Sequence, residues 1–484
     1  MPLLFTGFNA FGQHECVSGD VDCAAGFSEL NAPVSTQNQC TISIGWRYAA
    51  LAFGRKLCLR GLLDDGPNEC VTLEATGNIR ALAAADSHCL VLLQSGQLYR
   101  VQPKLQAELV AVRLEAAPRS NSGTKRSIFG AAKAPSSPII EHIACGSHIN
   151  VAISSENCVY SIPSCLHQFS ERQFRVKQLQ CGHEHAVLLN ANGDVFTWGN
   201  GLRGQLGLAE LRVEETPQLL EALAGIKVYI YLTCPLILSV THSSALQITQ
   251  IAAGGWHSAA ISAFGDLYTW GLNCSGQLGL RVMKPGGVLK EPTVFPLPQL
   301  QDLPECACSQ SGESNDDCAP LRVFAGSRHT LLIRRCGRLW VSGWCKHGQL
   351  GRQLQDLSYV DAFQALEGIT MNPTVDDVLC GPWSTLLHLK TGWMSGLPLS
   401  MAPSIFFILI WRITVQMMYP YGYMDCSLQD ALDNEYLVWN KGDHRENQMM
   451  LIRETVQTTL LLVLMIEVML TFNIPIPMVI GAGI

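Results

Sequence analysis

The chain has 484 residues, 48% of them apolar and 15% charged, with a formal net charge of -7 and 19 cysteines. That length suits roughly two to four ordinary domains or one large repeat architecture. The acidic balance argues against a protein that coats nucleic acid through its overall field. Cysteines this dilute make no disulfide scaffold and point to a reducing compartment, nucleus or cytosol.

The opening "MPLLFTGFNAFG" has neither a basic stretch nor a long apolar run, so a secretory signal is not expected. "LLFTGFNAFGQ" aligns instead with a pattern found further along, Gly7 falling with Gly199 and Gly12-Gln13 with Gly204-Gln205. Weak copies of that pattern follow. "IGWRYAALAF" puts Tyr48 in a slot taken elsewhere by histidine, "SHCLVLLQSGQLYRV" carries His88 and Gly96, and "CGSHINVAISSENCVYSI" carries Ile149 and Asn157 at the same separation. Residues 118–138 are rich in Ser, Pro, Gly and Ala and cannot bury enough surface to order themselves. They read as a solvated linker, with Arg119, Lys125, Arg126 and Lys133 as a docking or phosphorylation segment in the functional alternative.

Three strong copies come next. They read "CGHEHAVLLNANGDVFTWGNGLRGQLGL", "AGGWHSAAISAFGDLYTWGLNCSGQLGL" and "AGSRHTLLIRRCGRLWVSGWCKHGQLGR". Gly182 leads the first, and His185, His257 and His329 lie 72 residues apart, as do the turn glycines Gly193, Gly265 and Gly337. Trp198-Gly199, Trp270-Gly271 and Ser342-Gly343 end the following strand. Loops carrying Gly204-Gln205 with Gly207, Gly276-Gln277 with Gly279, and Gly348-Gln349 with Gly351 come after it. A last start, "CGPWSTLLHLKTG", has Ser384 and Gly392 but no second strand.

Each start reads as a strand, a tight turn and a second strand. Seven starts predict an all-β, seven-bladed propeller over 1–392, whose final blade is completed by the N-terminal strand so that no sheet edge stays open. Two stretches fall outside the plan. Residues 228–247, "VYIYLTCPLILSVTHSSALQ", are apolar and uncapped, and their removal restores a smooth repeat. They read as a translated intron kept in frame, the alternative being a real loop hairpin. Residues 393–484 form an apolar tail. Its stretch 456–484 carries Glu467, Asn473, Pro475 and Pro477, which weakens a membrane-associated helix and leaves a tail of unrelated origin as the other reading.

The long, glycine-punctuated sentence resembles the regulator-of-chromosome-condensation repeat family over residues 3 to 392. Within it, the late start, the "CGPWST" repeat and the lack of other domains resemble the small single-propeller members. That resemblance implies a non-enzymatic scaffold, nuclear and chromatin-associated, that binds a JmjC-type histone demethylase or histones and supports chromosome segregation. It also implies a competing reading, nucleotide exchange on a Ran-type small GTPase. The missing basic N-terminal arm and the degenerate early blades count against exchange, and no HECT-type domain follows the ring to suggest a ubiquitin ligase. A membrane-tethered propeller rests on the tail alone.

Catalytic, cofactor and metal residues are not expected. The three histidines recur in different blades, so they cannot converge on one substrate or ion, and they read as a hydrogen bond repeated within each blade. Trp198 and Trp270 read as packing. Cys306, Cys308 and Cys318 lie in "PECACSQSGESNDDC", where a single C-x-C is weak evidence for zinc. The expectation is an acidic solvated loop whose Glu305, Glu313, Asp316 and Asp317 meet a basic partner. No Walker loop, nucleophile elbow or H-E-x-x-H helix is present.

Overall fold

Apolar runs of this length, cut by glycine and asparagine turns, satisfy their backbone groups as short antiparallel strands. The computed structural model describes residues 3–15, 23–30, 40–64, 66–115, 137–170, 174–224, 247–282, 293–306, 308, 318–352, 358–372 and 376–389. The chain divides into two compact units, Met1–Trp393 and Met394–Ile484. The second unit, linker residues 118–136, insertion residues 228–246 and Gly392 lie outside the described residues.

The first unit is a ring of seven four-stranded antiparallel sheets, as the repeat count predicts. Six blades occupy 40–74, 79–111, 140–168, 176–219, 248–300 and 320–370 in chain order. The seventh joins Asp377–Cys380 and Ser384–His388 to Leu3–Phe8 and Cys23–Glu29. Leu3 pairs with His388, Thr6 with Thr385 and Gly7 with Ser384, so the N-terminus closes the ring and supplies two strands rather than one. Phe5 and Leu386 are fully buried at this seam. Gln247, the last residue of the predicted insertion, accepts from Ala263 N at 2.8 Å. Ile139 and Ala319 accept from Ser155 N and Arg335 N in the same way ahead of their blades.

Blade four shows why the repeat is written as it is. Its second strand, His185–Asn190, is buried at every position, as are His257–Ser262 and His329–Arg334 in the next two blades. A strand covered on both faces wants a continuous apolar run rather than alternation. The following strand brings Gly199 opposite His185 at φ 103°, where a Cβ would stand 2.4 Å from the Glu184 carbonyl oxygen. That is the reason for glycine after tryptophan. At the hairpin turn, Asn157 keeps the left-handed conformation that Gly193, Gly265 and Gly337 take in blades four to six, with φ 59°.

The histidines tie one blade to the next. His185 Nε2 lies 2.9 Å from Ser258 Oγ, His257 Nε2 2.9 Å from Thr330 Oγ1, and His329 Nε2 3.3 Å from Thr385 Oγ1. Each hydroxyl in turn donates to a carbonyl of the glutamine loop on the histidine's own blade: Gln205 at 3.0 Å, Gln277 at 2.6 Å and Gln349 at 2.8 Å. A hydroxyl has one proton, so the Nε2–H is the donor to it and each ring is fixed in one tautomer. The expectation of a bond within each blade is therefore corrected: the histidine and its loop grip the neighbouring blade.

The loops repeat a second bond. The glutamine side-chain oxygen accepts from the backbone N–H two residues earlier, at Arg203, Ser275, His347 and, in the closing strand's loop, Phe11. Trp270 Nε1 donates to Gln205 O at 3.0 Å, while Ser342 and Thr6, in the same slot, donate to Gly276 and Gly348. Trp198 follows a blade without such a loop, and its buried Nε1–H has no hydrogen-bond partner among the described residues.

Thr330→Val keeps the shape but strands the buried His257 N–H and the Gln277 carbonyl. Losing such a pair costs about 1–3 kcal/mol, so urea unfolding of this variant is expected to shift to lower denaturant by that amount, with Thr249→Val at a half-buried site shifting less.

Candidate functional site

Antiparallel strands alternate in direction, so the loops joining first to second and third to fourth strands emerge on one face of the ring. The hairpin turns between second and third strands emerge on the other. The innermost strands surround a central channel of about 300 Å³ and end in small side chains, among them Ala84, Cys145, Cys181, Ala253, Ala325 and Cys380. Seven strands converging on one axis leave room for nothing larger. Burial pushes the Cys145 and Cys181 thiols up and holds Cys380 up at about 12, so they pack as neutral groups.

At the loop face, His183 stands across the channel mouth. Its Nδ1 is 2.6 Å from Ser147 Oγ in blade three, and its Nε2 is 3.0 Å from Ser327 Oγ in blade six. Burial lowers its pKa against the raising pull of Asp86 and Glu184. A neutral imidazole carries one N–H, so one serine donates and the other accepts. Both ring nitrogens are thereby committed to holding opposite blades together, and the Ser–His contacts act as a strut.

Around that strut the loops build a band of arginines and aromatic rings. The Arg203 guanidinium lies 4.2 Å from the Trp256 ring, and His183 stands 4.9 Å from it on centroids. Arg328 reaches Trp256 at 5.8 Å and Trp344 at 5.7 Å. Trp344 meets Trp383 edge-on at 4.9 Å and His347 at 5.3 Å; His347 meets Phe8 at 5.2 Å, and Phe8 meets Phe11 at 5.3 Å. Trp46 stands 45% exposed in the corresponding loop of blade one. Each cation–π contact adds about 0.5–1 kcal/mol at an exposed site. The arrangement offers flat apolar rings with fixed positive charges between them, which suits a partner presenting carboxylates among apolar side chains.

None of these band residues was singled out from the sequence. Three of them, Trp256, Arg328 and Trp383, share one position in the repeat, the residue before the histidine slot. The hydroxyls Ser258, Thr330 and Thr385, one residue after that slot, were missed as well. Of the predicted partner loops, Arg119, Lys125, Arg126, Lys133, Glu313, Asp316 and Asp317 lie outside the described residues. Glu305 is exposed on the connection between blades five and six. Residues 307 and 309–317 of the predicted acidic loop lie outside the described residues, but beside Glu305, Cys306 is buried, and Cys306, Cys308, Cys318 and Cys336 bring their sulfurs within 4.8 Å of one another. Among the described residues no helix is long and apolar enough to cross a membrane.

The regulator of chromosome condensation (RCC1) repeat pattern matches residues 176–205 and 248–277, and a second form of it matches 192–230. The human RCC1 domain-containing protein 1 is 30% identical over 413 residues, covering 79% of this chain and 95% of that protein. Its mouse counterpart is 35% identical over 244 residues, 45% of this chain and 56% of that protein. Among solved structures, human WBSCR16 superposes with a TM-score of 0.55 at 16% identity, covering 81% of this chain and 100% of that one. Prp20p from Saccharomyces cerevisiae superposes with a TM-score of 0.54 at 14% identity, covering 84% and 94%.

Burial pulls His185, His257 and His329 down to about 3. The unfolded chain takes up these protons near pH 6.5, so stability is complete above that value and falls as pH drops from there toward 3. Each histidine contributes a slope of about 1.4 kcal/mol per pH unit. Urea unfolding is expected to give a lower free energy at about pH 5 than at about pH 7. His257→Gln, which keeps a donor and does not titrate, is expected to make that decline shallower.

Proposed function

The chain belongs to the regulator of chromosome condensation (RCC1) repeat family, and on that premise we propose that it is a non-enzymatic protein-binding scaffold working through the arginine–tryptophan face. The family supports a protein-interaction role, and the observation that carries this face is the continuous band from Arg203 through Trp256, Arg328 and Trp344 to Phe8. Rings held edge-on by their neighbours lose little freedom on binding, which is the character of interface hot spots. His183, with both nitrogens engaged, keeps the face rigid.

The proposed setting is nuclear. The proposed partner is a JmjC-type histone demethylase or the histones on which it acts, with a contribution to chromosome segregation. The yeast structural neighbour binds Gsp1p and histones, which supports a protein partner and leaves the demethylase as the finer proposal. Histone tails are basic, so the arginine band suits an acidic, apolar protein surface better than the tails themselves.

The test uses the full chain with a purified JmjC-type demethylase and, separately, core histones. Demethylase binding measured by calorimetry is expected to weaken about tenfold or more in Trp344→Ala and in Arg328→Ala, as for a hot spot worth about 2 kcal/mol. Phe264→Ala, on a turn at the opposite face and 72% exposed, is expected to bind as the parent does. Binding that is indifferent to the band variants and sensitive to Phe264 would move the site to the other face. Accelerated nucleotide release from a Ran-type GTPase would replace the scaffold reading with exchange.

A further inference from the structure

We propose that Cys306, Cys308, Cys318 and Cys336 form a binding site for a single tetrahedral zinc ion on the face opposite the arginine–tryptophan band. Three of the four come from the segment joining blade five, which ends at Leu300, to blade six, which begins at Pro320. The fourth comes from the hairpin turn between the second and third strands of blade six, His329–Arg334 and Arg338–Trp344. Their four sulfurs lie within 4.8 Å of one another. Cys306 Sγ and Cys336 Sγ are 3.6 Å apart. A tetrahedral ion with Zn–S bonds of about 2.3 Å sets its sulfurs about 3.8 Å apart, so the quartet needs only a slight contraction to ligate. A group this compact has room for one ion. Four thiolates select a thiophilic cation over magnesium or calcium.

The surroundings fit a closed structural site. Cys306 is 8% exposed, and the quartet packs beside Leu303, Phe363, Ala365 and Trp340. Arg334, 4% exposed, donates from Nη2 to Pro304 O at 2.7 Å and lays its guanidinium 4.1 Å from the Trp340 ring. It lies two residues from Cys336 and grips the backbone two residues before Cys306, so its positive charge stands near a tetrathiolate carrying two net negative charges. On binding, the four thiols release four protons to solvent and the ion takes four sulfur ligands; no electron moves. Cys306 and Cys308 precede blade six, and Cys318 stands two residues before its first strand. The ion would pin that connection to the blade it precedes.

The full chain is purified under reducing conditions from zinc-supplemented cells, and its metal is measured by elemental analysis. The expected result is one zinc per chain, retained through dialysis. Cobalt replacement is expected to give the intense sulfur-to-metal charge transfer and the red visible bands of a tetrahedral tetrathiolate. Cys308→Ser and Cys336→Ser are each expected to lose the ion and the cobalt spectrum, whereas Cys70→Ser, at an exposed position in blade one, keeps both. If the serine variants fail to fold, the parent protein decides alone: chelation is expected to lower its melting temperature reversibly, with zinc restoring it. Metal-free protein with four reactive thiols overturns the proposal. So does peptide mapping that finds these cysteines joined as two disulfides.

Discussion

The structure depends on one antiparallel pairing, Leu3–Phe8 against Ser384–His388. A ring of blades is held by contacts between neighbours, so an unclosed ring would present two unpaired surfaces and a free sheet edge. Closing it joins segments more than 370 residues apart, at the entropic cost of a very long loop. Fully buried Phe5 and Leu386 and the Thr6 hydroxyl on Gly348 offset that cost at the seam. The ring then holds the loop face in one geometry.

The histidine ties show how neighbouring blades specify each other. In the three strong repeats the next blade offers the histidine a hydroxyl: Ser258 for His185, Thr330 for His257 and Thr385 for His329. Where the slot is apolar, so is the answer. Ile149 in blade three is followed by Ala186 in blade four. The apolar slot of blade three is thus matched by its neighbour. Trp198 Nε1, whose partner loop is missing, marks where that pairing breaks.

The two faces have different chemistry for a geometric reason. Loops on the band side come from the repeat itself, so the strong repeats present equivalent positions, such as Trp256 and Arg328, side by side along a rim. The other side is built from hairpin turns and blade connections of unequal length. There, side chains remote in sequence can meet, as Cys306, Cys308 and Cys318 meet Cys336. An interaction surface suits the regular side, and a local fastener suits the irregular one.

The sequence by itself determined the blade count and the closing of the ring by the N-terminal strand. Both follow from one repeated local pattern: a buried strand, a left-handed turn and a glycine pressed against its neighbour's backbone mark each copy, and the incomplete last copy is matched by the chain's first strand. It did not determine what crosses from blade to blade. The direction of the histidine bonds, the strut that His183 makes between Ser147 and Ser327, and the arginine–tryptophan band each join residues of different repeats. The cysteine quartet is the sharpest case, because Cys336 sits in a turn where the other strong repeats carry Asn192 and Phe264 and carries no local sign of a ligand. Such contacts depend on how the blades are wound around one axis, and only the closed ring fixes that winding.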